Sequence, residues 1–151
     1  MNGGAKPAYD LRAADAGDYP FCERLYIASM QPLLSALDAW DHGKAVRALT
    51  EYFKPEEVQI VRMEKEDAGW IQISESEQAL HLDQIYLREK FRGRGVGTHL
   101  IAQTADHARS VGKCVKLSLI RGNRAATLYQ RLGFKQESED RTKYHMVLAT
   151  N

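Results

Sequence analysis

Between a strand-like run and a helix-like run the chain carries Arg92-Gly93-Arg94-Gly95-Val96-Gly97-Thr98. Residues of these types at this spacing suit the holding of phosphate. Upstream, Leu80-His81-Leu82-Asp83-Gln84-Ile85-Tyr86-Leu87 alternates and then turns continuously apolar, as a strand does on becoming central in a sheet. Downstream, Val96, Leu100, Ile101, Ala105, Ala108 and Val111 recur near helical spacing. A helix starting there leaves its first N–H groups unpaired at the positive end of its dipole, and the glycines let an anion approach them. The Thr98 hydroxyl offers a further donor. Arg88, Lys90, Arg92 and Arg94 surround the turn with only Glu89 among them, a local basic rim on a chain of 21 basic and 20 acidic residues. That suits a ligand with several phosphates, while the overall balance supplies no field for nucleic acid or an anionic membrane.

Two familiar phosphate loops are disfavoured. A Walker loop needs Gly-Lys-Ser or Gly-Lys-Thr, whereas Gly97 is followed by Thr98 and His99, which argues against ATP. A dinucleotide fingerprint needs Gly-x-Gly-x-x-Gly, and counting from Gly93 gives Gly-x-Gly-x-Gly. The next strand ends at Leu119-Ile120-Arg121 without a ribose-binding acid, so NAD is disfavoured; the glycine spacing disfavours NADP as well, and Arg121 only keeps it from strict exclusion.

The elements that must position this loop follow from pattern. A length of 151 residues with 44% hydrophobic content is enough for one core, so we expect one domain over 9–151 behind a loose, Gly- and Pro-bearing tail at 1–8. Tyr9–Arg12 reads as a short strand, Asp15 as the N-cap of a helix, and Pro32 as the first turn of a second helix. A further helix follows Asp41, with Val46, Leu49, Tyr52 and Phe53 on one face. Val58–Met63, Trp70–Ile73 and Ala79–Leu87 form a strand meander, its first turn at Glu64-Lys65-Glu66-Asp67. After the loop helix, which Gly112 stops, come a strand at Val115–Ile120, a short helix begun by Asn123 and ended by Gly133, a strand from Phe134 and a last strand at Tyr144–Leu148. Cys22 and Cys114 match no metal-ligand spacing and follow no secretory leader, and no apolar run approaches the roughly 20 residues of a membrane span. A cytoplasmic protein with free thiols is expected, with no bound metal.

At the loop the chain resembles the GNAT N-acetyltransferases, whose pyrophosphate signature Gln/Arg-x-x-Gly-x-Gly/Ala is met by Arg92, Gly95 and Gly97. Asn123, Ala126, Leu128-Tyr129 and Gly133-Phe134 are similar to that family's second block, and the element order agrees over nearly the whole chain. Leu25-Tyr26, Met30-Gln31-Pro32 and Trp40-Asp41 look like a bacterial subgroup. One departure is Glu89, where the family often has proline. The resemblance implies an α/β fold with a central mixed, mostly antiparallel sheet of about seven strands and about four helices.

It also implies a reaction: acetyl-CoA gives its acetyl group directly to a primary amine, of a small molecule or of a peptide or protein. Backbone N–H groups of Arg92, Gly93, Arg94, Gly95, Val96, Gly97 and Thr98 would hold the pyrophosphate. The strand around Ile85, Tyr86 and Leu87 would pair with the pantetheine arm, with Tyr86 or Leu87 facing the oxyanion. Tyr129 takes the general-acid role, and Asn123 either bonds the cofactor arm or caps its helix. His81 and Asp83 share a strand face and stand where relatives carry a base; a water chain is the alternative. Tyr26, Met30, Trp40 and Tyr144 are the expected lining of the acceptor pocket. Related readings keep the loop but use a longer acyl-CoA, or bind acyl-CoA as a sensor without turnover. Many relatives form dimers through their last strands.

Overall fold

The computed structural model describes residues 6–150. Residues 1–5 of the expected tail lie outside the described residues, and Lys6–Tyr9 carry no regular secondary structure. The first strand, β1 (Asp10–Ala13), is followed by a 3-10 turn in which Asp15 accepts from the Gly17 N–H while the Asp18 carboxylate accepts from the Asp15 N–H. This reciprocal cap starts the chain into α1 (Tyr19–Ser35). The expected break at Pro32 does not occur: α1 runs through Pro32 and ends three residues later. A proline there forfeits one N–H bond near a terminus where few bonds remain to lose, and burial of Cys22, Leu25 and Tyr26 holds the helix. Next, α2 (His42–Tyr52) is capped by Asp41, whose Oδ1 accepts from the Lys44 N–H at 3.0 Å. It buries Ala45 and Leu49; Tyr52, expected on the same face, is 62% exposed.

The sheet comprises β1, β2 (Val58–Met63), β3 (Glu66–Glu75), β4 (Ala79–Leu87), β5 (Cys114–Ile120), β6 (Lys135–Glu139) and β7 (Lys143–Leu148), in the order β1-β2-β3-β4-β5-β7-β6. Every pairing is antiparallel except β4 with β5, which α3 (Val96–Ser110) joins as a crossover. One face packs on α3 and α4 (Ala125–Arg131), with Leu80, Leu82, Leu100, Leu117 and Met146 in the core. The other packs on α1 and α2 through Cys22, Leu25, Leu49, Ile60 and Trp70.

The parallel pair is short. It covers Ala79–Leu82 against Cys114–Leu117 and stops, although both strands continue. Two features part them. On β4 the register with β3 skips from Leu82 to Gln84, so Asp83 is an extra residue at a bulge, which bends the strand. On β5, Ser118, Leu119 and Ile120 stay paired with His145, Tyr144 and Lys143 of β7. The central strands therefore diverge into a fork.

Candidate functional site

The fork opens towards the N-terminus of α3. The Arg88 N–H donates to the Ala68 carbonyl at 2.8 Å, which makes Gly69 and Leu87 a pair that does not exchange hydrogen bonds. By alternation, Ile85 and Leu87 turn their backbone N–H and C=O groups away from β3, into the fork, while Tyr86 turns its own towards Trp70. Of the two residues expected to face an oxyanion, Leu87 is thus the one whose N–H points into the gap. The strand is seated by Gly69: a Cβ there would stand 2.1 Å from the Tyr86 carbonyl oxygen, so β3 can approach β4 only with glycine at this place.

At the mouth, Gly93 and Gly95 have φ of 78° and 83°, a region that disfavours side chains, and Gly95 is the N-cap of α3 without a side-chain bond. Among the described residues no backbone carbonyl accepts from the N–H groups of Gly93 to Thr98, the first helical bond running from His99 to Gly95. A Cβ added at Gly93, Gly95 or Gly97 would meet nothing within 4 Å, so the glycine positions of this loop border open space, as the approach of a phosphate to its N–H groups requires. The basic rim is less free than its sequence implied. Arg88 and Lys90 pair with Glu66 at 3.0 and 2.8 Å, and Arg94 pairs with Glu64, carboxylates that the β2–β3 hairpin brings from far in sequence. All three cations also ring the buried Phe91, at 4.9 to 5.4 Å from its centre. Arg92 alone of the four has no carboxylate partner among the described residues; its Nε donates to the Leu87 carbonyl at 2.9 Å, tying the loop to the end of β4.

The fork itself is a cleft of about 1500 Å3 lined by Tyr26, Met30, Tyr86, Asn123 and Tyr129, among others. Tyr129, on α4, is 6% exposed and stacks edge-on against Phe134 at 5.5 Å. Burial pushes its hydroxyl up to about 12. The Tyr86 hydroxyl donates to Gln84 at 2.6 Å and is raised further, first by burial and then by the nearby Tyr26 and Tyr129. Asn123 uses its Oδ1 to accept from the Ala125 N–H at 2.9 Å, a helix cap that leaves the amide nitrogen to the cleft.

His81 and Asp83 lie on the α1–α2 face of β4, as their spacing predicted. Each is held by a serine: Ser76 Oγ lies 2.9 Å from His81 Nε2, and Ser74 Oγ donates to Asp83 Oδ2 at 2.6 Å. The Asp83 carboxyl has exposed surface, yet protein packed around it withdraws enough water to raise its pKa, against the lowering effect of the Ser74 bond.

Two expected pocket residues stand elsewhere. Trp40 packs edge-on against His42 beside the α1–α2 core, and Tyr144 lies on the α3–α4 face beneath Arg121 at 4.9 Å. Arg121 is committed to Glu139 and to the Asp140 carbonyl, which removes the feature that kept NADP open. Sequence reasoning missed Gly69, Phe91, Glu64 and Glu66, and on the other wall of the fork Ser118 and His145. In the sequence Glu64 and Glu66 read only as part of the hairpin turn, and Gly69 falls just before the expected strand Trp70–Ile73, whose observed span of Glu66–Glu75 takes it in. Among the described residues no group of three or more His, Cys, Asp or Glu stands together to hold a metal ion, and no helix is long and apolar enough to cross a membrane.

The family model described as "Acetyltransferase (GNAT) domain" matches residues 31–150. The chain belongs to this acetyltransferase family. An uncharacterized N-acetyltransferase of Methanocaldococcus jannaschii is 33% identical over 73 residues, which span 47% of this chain and 32% of that protein. The chain thus matches about a third of the length of this curated relative. Among solved structures, the PaiA N-acetyltransferase of Thermoplasma acidophilum in complex with coenzyme A superposes with a TM-score of 0.73 at 14% identity, over 94% of this chain and 99% of that one. The N-acetylglutamate synthase of Neisseria gonorrhoeae, complexed with coenzyme A and N-acetyl-glutamate, gives 0.68 at 17% identity, over 97% of this chain and 36% of that one. At these identities the likeness is one of fold.

Proposed function

We propose that the protein transfers the acetyl group of acetyl-CoA directly to a primary amine bound in the fork. One observation carries this reading: two sets of backbone N–H groups without backbone acceptors, Gly93 to Thr98 at the start of α3 and Ile85 and Leu87 on the open edge of β4, flank the place where β4 and β5 part. The N–H groups of Gly93 to Thr98 hold the pyrophosphate, and Arg92 adds a cation free of carboxylate. Ile85 presents N–H and C=O groups that pair with the amides of the pantetheine arm, as an added strand would, while Leu87 offers its N–H, its carbonyl being held by Arg92. Acetyl-CoA supplies the activated thioester. A gap-facing N–H of β4 receives the oxyanion formed as the amine attacks.

Tyr129 donates a proton to the departing sulfur. Its raised pKa keeps the proton in place at neutral pH, and the same dry wall that raises the phenol disfavours a bare thiolate beside it. Tyr26 and Met30 line the acceptor end of the cleft. The acceptor must arrive neutral or lose a proton on one of the two walls; on the β4 wall the available groups are His81 and Asp83.

The test is thermal stability with acetyl-CoA, CoA, NADPH and ATP, each at about a hundredfold over a micromolar Kd, where binding contributes roughly 2.7 kcal/mol. At this size each kcal/mol moves the midpoint by about 2 to 4 °C. A rise with both CoA species alone, followed by amine-dependent thiol release, establishes the reading. Binding without thiol release leaves a sensor, and no rise with either CoA species overturns the proposal.

A further inference from the structure

Across the fork from His81 and Asp83, three side chains of the β5–β7 wall stand in one line. Ser118 is the first residue of β5 past the parallel stretch, on the same sheet face as Asp83, and lines the cleft. Its Oγ lies 2.7 Å from Nδ1 of His145, its cross-strand partner on β7. His145 Nε2 lies 3.0 Å from Oδ2 of Asp140. The other oxygen of Asp140 accepts from the backbone N–H groups of Thr142 and Lys143, at 3.0 and 2.8 Å, so the turn before β7 fixes the carboxylate. The His145 bond and these two backbone bonds hold Asp140 below the usual carboxylate range.

The chemistry of the donors sets the direction of the line. An ionised carboxylate only accepts, so in neutral His145 the proton sits on Nε2 and the lone pair on Nδ1. The Ser118 hydroxyl then donates to Nδ1, which leaves its oxygen lone pairs towards the cleft.

We propose that Ser118, His145 and Asp140 form the relay that removes the acceptor's proton, an inference that rests on the transferase reading above. As the amine nitrogen bonds to the thioester carbon and the C–S bond breaks, the electron pair leaves on sulfur, which takes its proton from Tyr129. The proton released by the amine passes to Ser118 Oγ while the Ser118 proton passes to His145 Nδ1. Ser118 is the catalytic residue that touches the acceptor, His145 the proton sink, and Asp140 the positioning residue that fixes the tautomer. His81 and Asp83 on the β4 wall instead keep their bonds to Ser76 and Ser74. The charged groups facing His145 are Asp140 and Lys143 on its own side, Lys116 of β5 paired with Glu137 of β6 at 3.7 Å, and Asp83 across the fork. Arg121 and Glu139 pair on the opposite face.

Two measurements on the full chain with CoA or acetyl-CoA decide it. Long-range 1H–15N correlation of the CoA complex should place the His145 proton on Nε2; a proton on Nδ1 overturns the relay whatever the acceptor. Thiol release from acetyl-CoA is then followed with methylamine in excess, and with water alone, across pH. His145→Gln and Ser118→Ala should each lower the amine-dependent kcat/KM by about a hundredfold, as expected for loss of a general base, and His145→Gln should erase its acidic limb. CoA affinity should stay within about twofold, well inside the tenfold that 1.4 kcal/mol would represent. Ser118 is exposed, so its alanine variant tests the relay even where His145→Gln folds poorly. An active parent whose rate and pH profile survive both substitutions overturns the relay alone. A parent that binds CoA yet releases no thiol in either assay overturns the transferase reading, and the relay with it.

Discussion

The two ends of the cleft are built by different means. At the mouth, the donors of Gly93 to Thr98 are chiefly backbone N–H groups, placed by two positive φ angles and by the start of a helix. At the fork, the groups to which we assign the chemistry are side chains: Tyr129 from α4, Asp83 from a bulge on β4, Ser118 and His145 from neighbouring strands. A backbone site tolerates change in every residue except the glycines, whereas a side-chain site loses function one group at a time. The difference teaches where substitutions should act on binding and where on turnover.

The largest effect should separate those two quantities. Tyr129→Phe should cut kcat by about 10² to 10³, in the range of general-acid catalysis, while CoA affinity measured by calorimetry stays nearly constant. The same variant has a signature in stability. Because the folded Tyr129 pKa is raised from 10.0 to about 12, the buried phenol contributes fully below pH 10 and its contribution is lost as pH rises towards about 12. Urea unfolding should therefore show the parent losing stability relative to Tyr129→Phe only across that alkaline window. A kcat loss matched by an equal loss of CoA affinity would erase the contrast between the two ends.

Gly95→Val should do the reverse. A β-branched residue at φ 83° is strained and carries its methyl groups into the open space over the donors, so CoA affinity should fall about a hundredfold, equivalent to roughly 2.7 kcal/mol. Arg92→Gln should weaken CoA about tenfold, with a loss that shrinks in high salt. Arg94→Gln should cost under about threefold, because Glu64 already partners Arg94. Equal effects at Arg92 and Arg94 would show that the hairpin carboxylates do not shape the rim.

The smallest effect on chemistry should come from behind the cleft. Gly69→Ala forces a Cβ against the Tyr86 carbonyl and should cost about 1 to 3 kcal/mol, read as a lower melting midpoint. Its effect on CoA affinity should be severalfold at most, because β4 shifts without losing a donor. An unchanged midpoint would show that β3 moves aside freely.

The legible part of the fold was what local pattern dictates. Ala79–Leu87 was read to its observed ends because a strand central in a sheet is apolar and long. The α3 loop was read because helices begin with orphan N–H groups and only glycine tolerates the two positive φ angles there. Pro32 misled because its local meaning, a helix start, was overridden by packing of the α1 face on the sheet. Tyr144 misled because an aromatic type says nothing of which sheet face it joins, and Trp40, which packs with Tyr26 and Met30 on the α1–α2 face, turns to His42 instead of the cleft.

By itself, the sequence determined the periodic elements and the glycine loop, since both follow from the covalent chain over a few residues. Tertiary structure decided the rest. Asp83 became a bulge only through its register with β3, and the fork opened only because β5 stays with β7 where β4 bends away. Ser118 and His145 are 27 residues apart and meet through strand pairing, while Glu64, in the β2–β3 turn, reaches Arg94 30 residues away. Contacts of this kind depend on register, and register is fixed when whole strands find their partners.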